Sequence, residues 1–132
     1  MTNLASGTFE VQLKPQATGD EAADPAIARM SIDKQFHGDL AATSKGQMLA
    51  AGTDVQGSAG YVALERVTGT LRGRTGSFTL QHSGVMTRST FHLTIMVVPD
   101  SGAGQLTGLA GTMEIDKVEG KHFYDFAYTL NP

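Results

Sequence analysis

No cysteine occurs in the 132 residues, which removes disulfides, zinc-thiolate sites and thiol nucleophiles together and leaves burial alone to hold a core. A reducing cytoplasm suits such a chain. No apolar run approaches the roughly 20 residues that a membrane helix needs, and the amino terminus, MTNLASGTFEV, has no basic segment followed by an apolar stretch. A soluble, cytoplasmic protein with no membrane partner is the expectation. Lys and Arg are scattered and outnumbered, ten against thirteen Asp and Glu, for a formal net charge of -3. A phosphate-tracking surface needs basic residues in clusters, so nucleic acid is not an expected partner either. The loop at Gly102 and Gly104 lacks both the Lys-Ser/Thr and the following helix of a phosphate loop. No serine sits in a nucleophile-elbow pattern, and His37, His92 and His122 are too dispersed to suggest metal ligands. We expect no metal and no cofactor. Helical periodicity is missing as well, which leaves strands.

What the chain does have is glycine, sixteen in all or about 12% against a usual 7%, placed mostly between extended runs. The stretch from Gly60 to Gly84 reads as a β-hairpin around Arg72-Gly73-Arg74-Thr75-Gly76. Tyr61, Ala63, Glu65, Val67 and Leu71 share one face of its first strand, and Phe78, Leu80, His82 and Met86 share one face of its second. Joining the apolar faces over a core carries Glu65 and His82 inward with them.

The same parity organises the rest of the chain. Strand one runs from Ser6 to Pro15 with Phe9, Val11 and Leu13 on one side, and residues 16 to 26, small and acidic, form a surface connection. From Ala28 to Ala42 a long alternation predicts one kinked strand, bent at Gly38, with Met30, Ile32, Lys34 and Phe36 inward. Thr43 to Gly46 reads as a tight turn, with a third strand from about Gln47 to Val55 whose inward parity is open. Strand six spans Ser89 to Val98, and Pro99 to Gly104 reads as a loop. Strand seven spans Leu106 to Lys117, and strand eight carries Tyr124, Phe126, Tyr128 and Leu130 inward. Eight antiparallel strands hide their edges best by closing into a single all-β barrel, whose interior is either filled or holds one small ligand.

Three long motifs, GSAGYVALERVTGTLRGRTGSFTLQHSG, VVPDSGAGQLTGLAGTMEI and GKHFYDFAYTL, resemble an uncharacterised bacterial family known only as domain of unknown function 3224. The likeness runs from about Ser6 to Leu130, and the barrel of that family is similar to plant allene oxide cyclase. What it implies is an eight-stranded, allene oxide cyclase-like barrel; it brings no activity and no site residues with it.

Lys34, Glu65, His82, Tyr61, Tyr124 and Tyr128 all fall on inward faces. Burying an unpaired ion costs several kcal/mol, so Lys34 and Glu65 must meet opposite charge or border a wet cavity. In the functional reading Glu65 and His82 are catalytic residues sharing a proton, while Lys34 and the Tyr hydroxyls contact the ligand. The plain alternative is a satisfied internal network that specifies strand register and nothing else. Three functions remain open: a barrel that isomerises or cyclises an apolar or amphipathic metabolite, a non-catalytic barrel that binds one, and a filled barrel acting through its outer wall. Outward Val62, Leu64, Met96, Val98 and Phe123 suggest a homo-oligomeric contact.

Overall fold

A computed structural model of the chain describes residues 2–16 and 26–130, so the connection expected over 16–26 lies almost wholly outside the described residues. The strands are β1 (Asn3–Pro15), β2 (Ile27–Gly38), β3 (Leu40–Gly52), β4 (Ala59–Leu71), β5 (Arg74–Thr87), β6 (Thr90–Val97), β7 (Ala103–Gly104), β8 (Leu109–Val118) and β9 (Lys121–Leu130). Eight of them form one antiparallel sheet in the order β4-β3-β2-β1-β9-β8-β6-β5, and pairing of β4 with β5 closes it into a barrel. Closure leaves no strand of this ring with only one neighbour. The two-residue β7 stands outside this ring, in the segment expected to be a loop, and pairs only with Gly76 and Ser77. Its position brings Leu106 to full burial against the end of the barrel. No helix among the described residues is long and apolar enough to cross a membrane.

Three two-residue turns, Arg72-Gly73, Arg88-Ser89 and Glu119-Gly120, have positive φ at both positions, the geometry whose twist matches the flanking strands. At Arg88-Ser89 neither residue is glycine, and both must adopt a conformation that L side chains disfavour. The neighbouring β3–β4 loop holds them there: Ser89 N–H donates to the Gly57 carbonyl at 2.9 Å and Arg88 N–H to Ser58 Oγ at 3.0 Å. Ser89→Gly keeps these backbone bonds and removes the penalty. It is expected to raise stability by about 1 kcal/mol, measured as a higher urea midpoint at unchanged slope.

The chain between β1 and β4 departs from expectation. Instead of one kinked strand over 28–42 and a turn at 43–46, β2 ends at Gly38 (φ 101°), Asp39 makes the corner, and β3 starts at Leu40. Polar contacts pin that corner. The Asp39 carboxylate accepts from Ser6 N–H at 2.9 Å, while the Tyr124 hydroxyl accepts from Leu40 N–H and donates to the His37 carbonyl, both at 2.9 Å. Thr43 to Gly46 therefore lie inside β3, in unbroken register with β4, which settles its parity: Ser44, Gly46 and Met48 face inward and Leu49 outward. Gly46 marks a close approach, not a turn. A Cβ there would fall 2.1 Å from the Leu64 carbonyl oxygen and 2.6 Å from Glu65 Cα, so only glycine lets β3 lie flat over the Glu65 backbone.

The interior has two unlike halves. Toward the end with the β2–β3 and β4–β5 turns it is filled by Phe36, Leu40, Leu71, Phe78, Leu80, Tyr124, Phe126 and Tyr128. Phe126 stacks between Phe78 and Tyr128, with ring centroids 5.8 and 5.3 Å away. Toward the end with the other hairpins the barrel opens. There the β6–β8 seam is thin, paired only at Ile95↔Met113 and Met96↔Thr112, and Phe91 lies in the gap with 55% of its surface exposed. On the outer wall Val62, Leu64, Met96 and Phe123 are exposed, whereas Val98 is half-buried.

Candidate functional site

The open half is a cup of about 430 Å³, within the range of small-molecule pockets. Its wall is mostly apolar, including Phe9, Val11, Ile32, Met48, Met86, Phe91 and Ile115; its polar side chains are Lys34, Tyr61, His82 and His122. Strand parity aims each of them: β2 contributes Lys34, β4 Tyr61, β5 His82 and β9 His122, each in the inward series of its strand.

Glu65 lies just below the cup, 1% exposed, and both its oxygens are occupied. Oε2 accepts from Lys34 Nζ at 2.7 Å and from His82 Nε2 at 2.5 Å, and Oε1 accepts from Ser44 Oγ at 2.7 Å. No buried side-chain polar atom among the described residues lacks a partner. Burial, the largest influence, pushes the Glu65 carboxyl up. The hydrogen bond from His82 and the charge of Lys34 outweigh it, and the pKa falls from 4.5 to about 2. An ionised carboxylate only accepts, so His82 Nε2 carries a hydrogen and, in the neutral ring, Nδ1 is the free lone pair. That lone pair faces the Tyr61 hydroxyl at 3.2 Å. Burial first and the Glu65 charge second push the Tyr61 phenol up to about 12, so it stays protonated at neutral pH and donates to Nδ1. The result is a directed chain, Tyr61 to His82 to Glu65, with Lys34 on the same carboxylate.

Gly84 makes room for this chain. A Cβ at that position would lie 2.6 Å from Tyr61 Cε1, so the ring can rest across β5 only because residue 84 has no side chain.

The structure thus brings four of the six sequence-predicted residues together: Lys34, Tyr61, Glu65 and His82. Glu65 does not line the cup and is joined to its lining through His82 and Lys34. Tyr124 and Tyr128 face inward as expected but stand in the filled half, where Tyr124 pins the β2–β3 corner. Neither is among the residues that line the cup. Two members escaped the sequence. Ser44 was hidden by the misplaced turn, and His122 by its closeness to a turn, although stepping the Tyr124 alternation back by two would have placed it inside. Among the described residues no group of three or more His, Asp or Glu side chains is arranged to hold a metal.

A closed antiparallel barrel, filled at one end and open at the other, with a buried ion network between the halves, defines the class of protein. The chain belongs to the family described as "Protein of unknown function (DUF3224)", whose model matches residues 5–128. It is similar to a protein with unknown function from the same family in Shewanella oneidensis MR-1, whose crystal structure superposes with a TM-score of 0.92. The two are 48% identical, and the match covers 100% of this chain and 99% of that one. No curated protein matches the chain.

Proposed function

We propose that the protein binds an apolar or amphipathic small molecule in the cup and handles a proton of that molecule at Tyr61. The carrying observation is the Tyr61–His82–Glu65 chain at the edge of a mostly apolar cavity. A proton leaving the ligand is taken by the Tyr61 oxygen as the phenol's own proton passes to His82 Nδ1; the imidazolium so formed is stabilised by ionised Glu65. Apolar walls exclude water and strengthen each of these interactions. Such a site suits an isomerisation or cyclisation, in which a proton is moved and no second substrate is needed.

Ala50 lines the cup as the cross-strand neighbour of Tyr61, so Ala50→Trp fills it while keeping every side chain of the hydrogen-bonded chain present. Native mass spectrometry of the wild type is expected to show a one-to-one organic adduct, and the neutral dye Nile red to displace it. Ala50→Trp is expected to lose adduct and dye together; equal dye binding by both proteins would refute the reading. In heavy water the extracted ligand is expected to gain one deuterium with wild type and none with Tyr61→Phe.

A further inference from the structure

Resting on the cup as a ligand site, we propose that the bound molecule carries an anionic head, met by Lys34 and His122 at the Phe9 wall of the cup. The cup's polar lining is one-sided. Lys34 and His122 have N–H groups to offer, the Tyr61 O–H and the His82 N–H being taken up by His82 and Glu65, and no carboxylate is among the lining residues. Glu65, the acid beneath them, is consumed by Lys34, His82 and Ser44.

Lys34 has capacity to spare. Its ammonium carries three N–H groups, and Glu65 is its hydrogen-bond acceptor, at 2.7 Å. What else surrounds the nitrogen is aromatic, the rings of Phe9 at 5.0 Å and Phe36 at 5.7 Å. Two aromatic faces stabilise the cation without using up its remaining donors as a second oxygen would. The His122 ring also stacks on Phe9, at 4.9 Å, and makes no hydrogen bond among the described residues. Lys34 and His122 thus both contact one aromatic ring, line the same cup and keep donors that no group among the described residues takes up. A carboxylate or similar head has the acceptor lone pairs to answer both; an alcohol has fewer acceptor sites and no charge. The remaining wall is hydrocarbon, suited to a tail. Tyr61 and His82 stand across the cup from His122, free to act on the body of the molecule while its head is held.

Displacement of Nile red by octanoate and by octanol tests the head group at constant chain length. Octanoate is expected to compete at least tenfold more tightly. His122→Leu is expected to cut that preference several-fold with octanol unchanged, and His122→Gln, which keeps an N–H donor, to restore most of it. The double variant Lys34→Met/Glu65→Leu is expected to abolish the preference. Octanol competing as well as octanoate, while Nile red still binds wild type and not Ala50→Trp, would overturn the anionic head and leave the cup intact. Failure of the dye to bind at all would overturn both.

Discussion

Glu65→Gln is expected to cost roughly 3 to 5 kcal/mol of stability, the range found when one member of a buried ion pair is removed. The amide keeps the shape of the carboxyl but cancels its charge, so Lys34, whose surface is 9% exposed, remains buried with no anion beside it. His82 loses its charged acceptor at the same time. Lys34→Met/Glu65→Leu removes both charges and fills the space with hydrocarbon, and is expected to recover most of the loss, short of wild type by about 1 to 3 kcal/mol for the buried Ser44 hydroxyl left without its acceptor. His82 then turns to its other tautomer and donates from Nδ1 to the Tyr61 oxygen, so it needs no counter-charge. Urea denaturation at neutral pH reads both variants. A single substitution that costs less than 1 kcal/mol would mean that the network does not hold these groups. The pair also separates stability from function: recovered stability with lost octanoate preference says that the charges are kept for the ligand, not for the fold.

Alternation alone placed most of the interior, because each strand side chain must choose one of two faces and the apolar majority decides for its polar companions. Lys34, Glu65 and His82 could be read in this way, although Lys34 and Glu65 are 31 positions apart and their meeting depends on β3 lying between them. Parity does not report height along the barrel axis. Tyr61 and Tyr124 share the inward face, yet one lies at the cup and the other in the packing, because the stagger of β1 against β9 and β2 sets that level. Ser44 failed for a different reason. Thr-Ser-Lys-Gly carries every local mark of a turn, but Gly46 is there to admit the Glu65 backbone, a requirement imposed by a strand nineteen residues away. The true corner at Gly38-Asp39 is held by Ser6 and Tyr124, contacts invisible to any local pattern.

Acidification is expected to remove on the order of 3 kcal/mol through Glu65 alone, counting about 1.36 kcal/mol per unit over the fall from 4.5 to about 2. The carboxyl is depressed in the folded state, so its contribution is complete above about pH 4.5, declines as pH falls and is gone near pH 2. Every other carboxyl also titrates in that window, and the double variant Lys34→Met/Glu65→Leu supplies the reference that retains them. Between pH 5 and pH 2.5 the stability of wild type is expected to fall more steeply than that of the variant, so that wild type, somewhat above the variant at neutral pH, meets it or lies below it at the acid end. Tyr61 acts at the opposite extreme. Its phenol is raised to about 12, so the stability it contributes is complete below pH 10 and is lost as pH rises toward 12. Across neutral pH neither group changes charge, and the gap between wild type and variant is expected to stay flat there. Parallel curves from pH 5 to pH 2.5 would show that Glu65 titrates as it does in the unfolded chain. A carboxyl with its ordinary pKa is still ionised at neutral pH, so that result would remove the stabilisation credited to His82 and Lys34 while leaving an acceptor for His82 Nε2.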